Sequence, residues 1–217
     1  MDVKEAIGKA KTEAKKRKFT QSVDLFINFK ELDFAKPENK MNLEVQLPKG
    51  RGKARKVCVI GDANLALTAK GVADRVVAGA DLEGIAKDKK TLKELAESYD
   101  FFLAQPNVMG LVGKHLGQAL GPRGKMPKPI PPNVNLTPLI EKLKLTVVVR
   151  TKGKNFPVVH VPIGTEEMSD DDLTANANAV LGAVKNKLPQ HEHNIKDAYV
   201  KLSMGPVVKF DVGGAAK

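Results

Sequence analysis

Apolar residues fall on two different spacings along this chain, and the places where one gives way to the other limit what it can fold into. Val23, Leu25, Ile27 and Phe29 alternate strictly with polar neighbours, and Leu43, Val45 and Leu47 repeat the pattern up to Pro48. Such alternation marks strands with one wet face, the habit of antiparallel sheet. Val57 to Ile60 is instead continuously apolar, as in a parallel strand covered on both faces. A helix-like LALTAKG at 65–71, a VADRVVAG segment, a helical TLKELAESY, a second short apolar run FFLA and a helical VMGLVGKHLGQAL follow in α/β order. A further helix runs through Leu139, Ile140 and Leu143.

After Lys144 the alternation returns. Residues 145–164 read as a hairpin whose tip, Thr151 to Asn155, carries Lys152 and Lys154. Ser169 followed by three aspartates opens a helix through Leu173, Ala177, Val180, Leu181, Val184 and Leu188. A last strand pair turns at Gly205-Pro206. At the other end, Val3, Ala6, Ile7, Ala10 and Ala14 recur at helical spacing, so a helix with a basic end is expected from Asp2 to Lys18. The simplest architecture with this symmetry is discontinuous: 1–50 and 147–217 form one α+β domain, and 51–146 is an inserted α/β domain. The Gly- and cation-rich stretch Pro48 to Lys56 reads as the linker, with the second crossing near Lys144 and Leu145.

The charge narrows the partner. Lys and Arg number 36 against 25 Asp and Glu, a formal +11 that points to a polyanion, with nucleic acid foremost. Residues 51–146 hold 16 basic and 9 acidic side chains and the rest 20 and 16, so both domains are basic. No window approaches the roughly 20 apolar residues that a spanning helix needs, and the start lacks the apolar core of a secretion signal, so a cytosolic protein is expected. Cys58 lies in the apolar run and reads as a buried small hydrophobe.

The stretch LGPRGKMPKP at 120–129 is a stiffened loop that holds up Arg123 and Lys125 with no acid beside them. It is not a phosphate-binding NTPase loop. Counting back from Gly124-Lys125 puts Ala119 where the first glycine belongs and Met126 where the magnesium hydroxyl belongs. GDANLA after the first parallel strand offers no second glycine for a pyrophosphate. His191 and His193 flank Glu192 in a polar loop without further ligands, His160 reads as a hydrogen-bonded core imidazole, and Asp170 to Asp172 as a helix start. No nucleophile, base and orienting group assemble, so no enzyme and no cofactor are expected. The alternatives are a nucleotide- or phosphate-ester-using enzyme on the α/β block, with the basic loop as its anion site, and a protein-only interaction module. Aromatic side chains make up 5% with no Trp, which disfavours base stacking on a sheet and favours recognition of RNA shape and backbone. At Ser203-Met204-Gly205-Pro206 a strand ends in a hydroxyl, a pliable apolar side chain and a glycine that leaves room for a ribose. The plain alternative is a tight turn, and for Phe19 after the KKRK run a core anchor, the commoner role at such a place, stands against a base or sugar contact.

SMGP at 203–206, LGPRGKMPKP at 120–129, QPNVMGLVGKHLG at 105–117 and KRKF at 16–19 together resemble, in order and over essentially the whole chain, the L-one family of large-subunit ribosomal proteins, in its archaeal type. The resemblance implies an RNA-binding domain built from both termini with an inserted Rossmann-like, three-layer α/β domain on a hinge. It implies a structural protein of the mobile stalk beside the transfer RNA exit site, assisting release of deacylated tRNA, monomeric when free. Its partners would be large-subunit rRNA, its own mRNA through translational repression, and exit-site tRNA transiently. The matching RNA-binding positions are Lys18, Phe19, Ser22, Ser203, Met204, Gly205 and Pro206, with Lys152 and Lys154 adding charge. Arg123 and Lys125 would make a secondary RNA contact. Family members usually carry Thr before Met-Gly-Pro; Ser203 keeps the hydroxyl and loses the methyl. The expected mechanism is a ledge where the Ser203 hydroxyl and the backbone amides near Gly205, shielded from water by Met204 and Phe19, bond ribose and phosphate.

Overall fold

The computed structural model describes all residues except 34, 35, 37, 38, 63, 64, 66, 67, 70, 131–134, 152–155 and 213–217. The fold is mixed α/β, and the chain divides into two compact units, Met1–Lys53 with Leu145–Lys217, and Ala54–Lys144.

In the first unit, elements numbered along the whole chain are α1 (Val3–Glu13), β1 (Ser22–Phe29), β2 (Asn42–Gln46), β7 (Thr146–Arg150), β8 (Val158–Thr165), α6 (Asp170–Lys187), β9 (Ile195–Leu202) and β10 (Val207–Phe210). The alternation in β1 makes it a central strand, antiparallel to β8 on one side and β9 on the other, in the order β10-β9-β1-β8. Val23, Leu25, Ile27 and Phe29 all point into a core closed by α1 and α6. Each such side chain contributes about 2 kcal/mol. The expected 145–164 hairpin does not form as a single ladder. β7 pairs with β2, as in Val45 opposite Val147, and among the described residues the bridge toward β8 is Thr151–Val159, just past the end of β7. The alternation holds in both segments, but each strand takes a different apolar partner, β2 for β7 and β1 for β8.

α1 begins at a capping box, in which Asp2 accepts from the Val3 N–H (2.7 Å) and Glu5 from the Asp2 N–H (3.3 Å). It ends at Glu13, short of the expected Lys18. Ala14 is already extended, and the Lys15 carbonyl accepts a side-chain bond from Gln21 (3.3 Å). The basic run 15–18 is therefore an exposed connector rather than a helix end. The aspartates that open α6 fasten it to neighbours: Asp170 pairs with Lys11 (2.6 Å), Asp171 with Lys4 (2.6 Å) and Asp172 with Lys49 (3.4 Å). Ser169 caps the helix by accepting from the Asp172 N–H.

The second unit holds β3 (Val57–Gly61), β4 (Arg75–Ala78), α2 (Leu82–Lys87), α3 (Lys89–Ser98), β5 (Phe101–Ala104), α4 (Pro106–Leu120), β6 (Lys128–Pro129) and α5 (Leu136–Lys144). Its parallel sheet runs β4-β3-β5-β6, a doubly wound order that reverses direction between β3 and β5, where such folds seat ligands at the carboxyl ends of the strands. The basic loop donates the short edge strand β6, a position where Pro129 is tolerated. Of the helix read at 65–71, residues 66, 67 and 70 lie outside the described residues, and Leu65, Thr68 and Ala69 are helical. Cys58 is fully buried and its thiol is pushed up to about 12 by that burial. Each unit has its own core: one cluster draws only on residues up to Leu47 and from Val147 onward, the other only on residues from Cys58 to Leu120. Among the described residues no helix is long and apolar enough to cross a membrane.

Candidate nucleic-acid interface

The first unit brings two distant segments together at the start of β1. The Ser203 N–H donates to the Ser22 carbonyl (3.0 Å), the Ser22 N–H donates to Ser203 Oγ (3.2 Å), and the Ser203 hydroxyl donates back to the Ser22 carbonyl (3.3 Å). Gln21 organises the junction although it is only 1% exposed. Its Oε1 accepts from the Met204 N–H (3.1 Å), and its Nε2 donates to the Lys15 carbonyl (3.3 Å) and to Glu166 (3.2 Å). The end of α1 closes against the same turn. A Cβ at Gly205 would stand 3.2 Å from those of Ala14 and Leu202, so the turn accepts only a hydrogen there without displacement.

Ser22, Ser203, Met204, Gly205 and Pro206 are thereby set beside the connector that carries Lys15, Lys16, Arg17, Lys18 and Phe19. Exposure departs from the expectation of a water-shielded ledge. Met204 is 57% exposed, Phe19 49% and Val207 58%, so this edge is wet and apolar until something covers it. Phe19 is thus no core anchor. The backbone amides are also committed: those of Ser203 and Met204 as above, and that of Gly205 to the Leu202 carbonyl (3.0 Å). What remains to recognise a ligand is hydroxyl and carbonyl oxygen, exposed apolar surface and nearby cations.

Those cations differ in how far they are already neutralised. Lys4, Lys9, Lys11, Lys49, Lys185 and Lys209 each hold a carboxylate. Among the described residues, Lys15, Lys16, Arg17, Lys18, Arg51, Lys53 and Lys201 have no carboxylate within ion-pair distance; Lys53 Nζ instead donates to Ser22 Oγ (3.2 Å). Asp24, on the solvent face of β1 opposite Lys201, lies among several of them. Its carboxyl is raised because burial disfavours the anion, while Arg51, Lys201, His160 and Lys53 oppose that shift. His160 is not the core imidazole expected from its strand. The β8 register turns it outward, where its ring lies 4.4 Å from that of Phe26.

The remaining expected sites fare differently. Lys152 and Lys154 lie outside the described residues. Arg123 and Lys125 do not hold their charge outward as read from the loop. Arg123 donates to Glu97 (3.0 Å) and to the Ala119 carbonyl (3.1 Å), and Lys125 to the carbonyls of Ala96 (2.9 Å) and Tyr99 (2.7 Å). Both lock the loop onto the ends of α3 and α4, where the carbonyls of a helix terminus attract cations. Burial lowers the Lys125 pKa. At the carboxyl ends of β3 and β5 Gln105 Oε1 accepts from the Asp62 N–H (2.7 Å), and a Cβ on Gly61 would fall 2.5 Å from Leu65 Cδ2. Protein side chains thus occupy the place where such folds seat a nucleotide. Among the described residues no group of three potential ligands could hold a metal.

Sequence reasoning missed Gln21 and Lys53. Gln21 left a signal, because it has the same parity as the inward residues Val23 to Phe29 and is the polar member of that series. Lys53 left none, since its contact depends on how the chain returns.

Comparison with known proteins places this arrangement in a family. The model of the "Ribosomal protein L1p/L10e family" matches residues 10–206. The large ribosomal subunit protein uL1 of Thermococcus kodakarensis is 49% identical over 208 residues, 95% of this chain and 95% of its own. The protein of the same name from Methanothermococcus thermolithotrophicus is 47% identical over 210 residues, covering 97% and 98%. That of Methanocaldococcus jannaschii is 46% identical over 213 residues, covering 98% and 96%.

Proposed function

The chain belongs to the ribosomal protein L1p/L10e family, and on that premise we propose that it is a structural, non-enzymatic component of the large ribosomal subunit that binds large-subunit rRNA through the edge where β1 meets the end of β9. The observation that carries this reading is the convergence of Ser22 and Ser203 with an exposed Phe19 and Met204 and a run of four cations lacking carboxylate partners among the described residues. Ser22 and Ser203 offer oxygen to a ribose 2′-OH, Met204 and Phe19 cover sugar faces and exclude water, and Lys15 to Lys18 attract phosphates. Lys152 and Lys154 add to that attraction. Gly205 keeps the turn low enough for close approach.

In this reading the bound RNA and the protein form the mobile stalk at the tRNA exit site and assist release of deacylated tRNA. One surface also serves repression through the protein's own mRNA, because a messenger site that imitates the ribosomal one presents the same sugars and phosphates. Arg123 and Lys125 take part in a secondary contact only by leaving their carbonyl partners. The test is a gel shift with an rRNA fragment across salt concentrations. Binding whose logarithm falls linearly with log salt supports the reading. Salt-insensitive or absent binding refutes it, and an mRNA leader that fails to compete removes the repressor role.

A further inference from the structure

Asn176 stands on the buried face of α6 between Leu173, Ala177 and Val180, wholly enclosed. A buried amide must be satisfied, and here its partners lie on the crossing segment and on β8. Oδ1 accepts from the Lys49 N–H (3.1 Å), while Nδ2 donates to the carbonyls of Gly50 (2.7 Å) and Ile163 (2.8 Å). Gly50 and Gly52 adopt φ of +65° and +75°, and a Cβ on Gly52 would fall 2.7 Å from Thr165 Oγ1. The stretch expected to be a linker is therefore clamped onto the first unit. Just beyond the clamp, Lys53 reaches Ser22, and Arg51 lies near enough to Asp24 to be the largest of the charges acting on it. Neither cation meets a carboxylate within ion-pair distance among the described residues, unlike Lys49 beside them, which pairs with Asp172.

We propose that Arg51 and Lys53 form a second row of phosphate contacts continuous with the Ser22–Ser203 edge, and that Asn176, which touches no RNA, is the positioning residue that holds this row in place. The inference rests on the RNA-binding reading above and deepens it. A phosphate running past Ser22 meets Lys53, whose Nζ already reaches Ser22 Oγ (3.2 Å), so this row adds its charge to that of the Lys15 to Lys18 connector.

The experiment is salt-dependent binding of the full chain to a large-subunit rRNA fragment, with folding of each variant checked by circular dichroism. Lys53→Ala and Arg51→Ala, both changes outside the core, each reduce the slope of log K against log salt by about one. Lys4→Ala, whose ammonium is already held by Asp171, leaves it unchanged. Asn176→Ser, in a folded protein, reduces the slope like the loss of both cations, and adding Lys53→Ala to it has little further effect. Wild-type slopes in the folded Lys53→Ala and Arg51→Ala proteins overturn the proposal while leaving the RNA-binding reading intact. Additive losses in the double variant overturn the role of Asn176. A wild-type chain that binds no rRNA overturns the functional reading and this inference with it.

Discussion

Replacing Ser203 by alanine separates what its hydroxyl does for the fold from what it does for RNA. In the unbound protein Ser203 Oγ accepts from the Ser22 N–H and donates to the Ser22 carbonyl at 3.2 and 3.3 Å, both exposed. Water replaces these bonds when the oxygen is lost, so stability falls by only about 0.5–1 kcal/mol. That corresponds to a melting temperature lower by about 2 °C. On the proposed reading, Met204 and Phe19 keep water out of the RNA complex, and there the same loss leaves a ribose hydroxyl without its partner. This costs at least about 1 kcal/mol, or about fivefold in affinity. Filter binding to an rRNA fragment reads the second quantity and thermal melting the first. Ser203→Thr retains the hydroxyl and stays near wild-type affinity. The salt slope should not move, because no charge is lost. Unchanged affinity in Ser203→Ala refutes the reasoning, and a weakened complex with an altered slope assigns the loss to displaced cations instead.

Four further outcomes follow from other parts of the structure. Because burial raises the Cys58 pKa from 9.0 to about 12, the unfolded chain loses that proton first. The thiol's contribution is full below pH 9 and is lost towards 12, by about 1.4 kcal/mol per pH unit; denaturant titrations of Cys58→Val against wild type should lack this slope. Gly52→Ala forces φ of +75° on an L-residue and a 2.7 Å contact with Thr165, so it destabilises the first unit by about 1–3 kcal/mol in urea unfolding. Lys125→Met orphans the carbonyls of Ala96 and Tyr99 and lowers the stability of the second unit by about 1–3 kcal/mol, leaving affinity at the Ser203 edge unchanged. Joining Lys53 to Leu145 through a glycine linker removes the second unit, and the remainder keeps its circular dichroism spectrum and most of its specific affinity, since the two segments already meet where the Leu47 N–H donates to the Leu145 carbonyl (3.0 Å).

The mixed α/β class, most of the strands and the cap at Ser169 were legible because they depend on spacing and on neighbours a few residues away, whereas β6 inside the Pro-rich loop was not. The charge excess was legible as a sum, but its distribution was not. The LGPRGKMPKP loop looks like exposed positive charge, yet the structure turns Arg123 and Lys125 onto helix-end carbonyls. His160 looked internal because its neighbours are apolar, and the β8 register put it outside. Gln21 and Asn176 could have been noticed as polar residues at apolar positions of their elements, though the groups they satisfy could not have been named.

By itself, the sequence determined which faces are apolar, where helices and strands begin, and the excess of positive charge that points to a polyanion, since period and composition are properties of the chain alone. Only tertiary structure decided which cations stay without a carboxylate and which hydroxyls meet. Ser22 and Ser203 are 181 residues apart, and a contact across that distance depends on register and strand order rather than on any local preference.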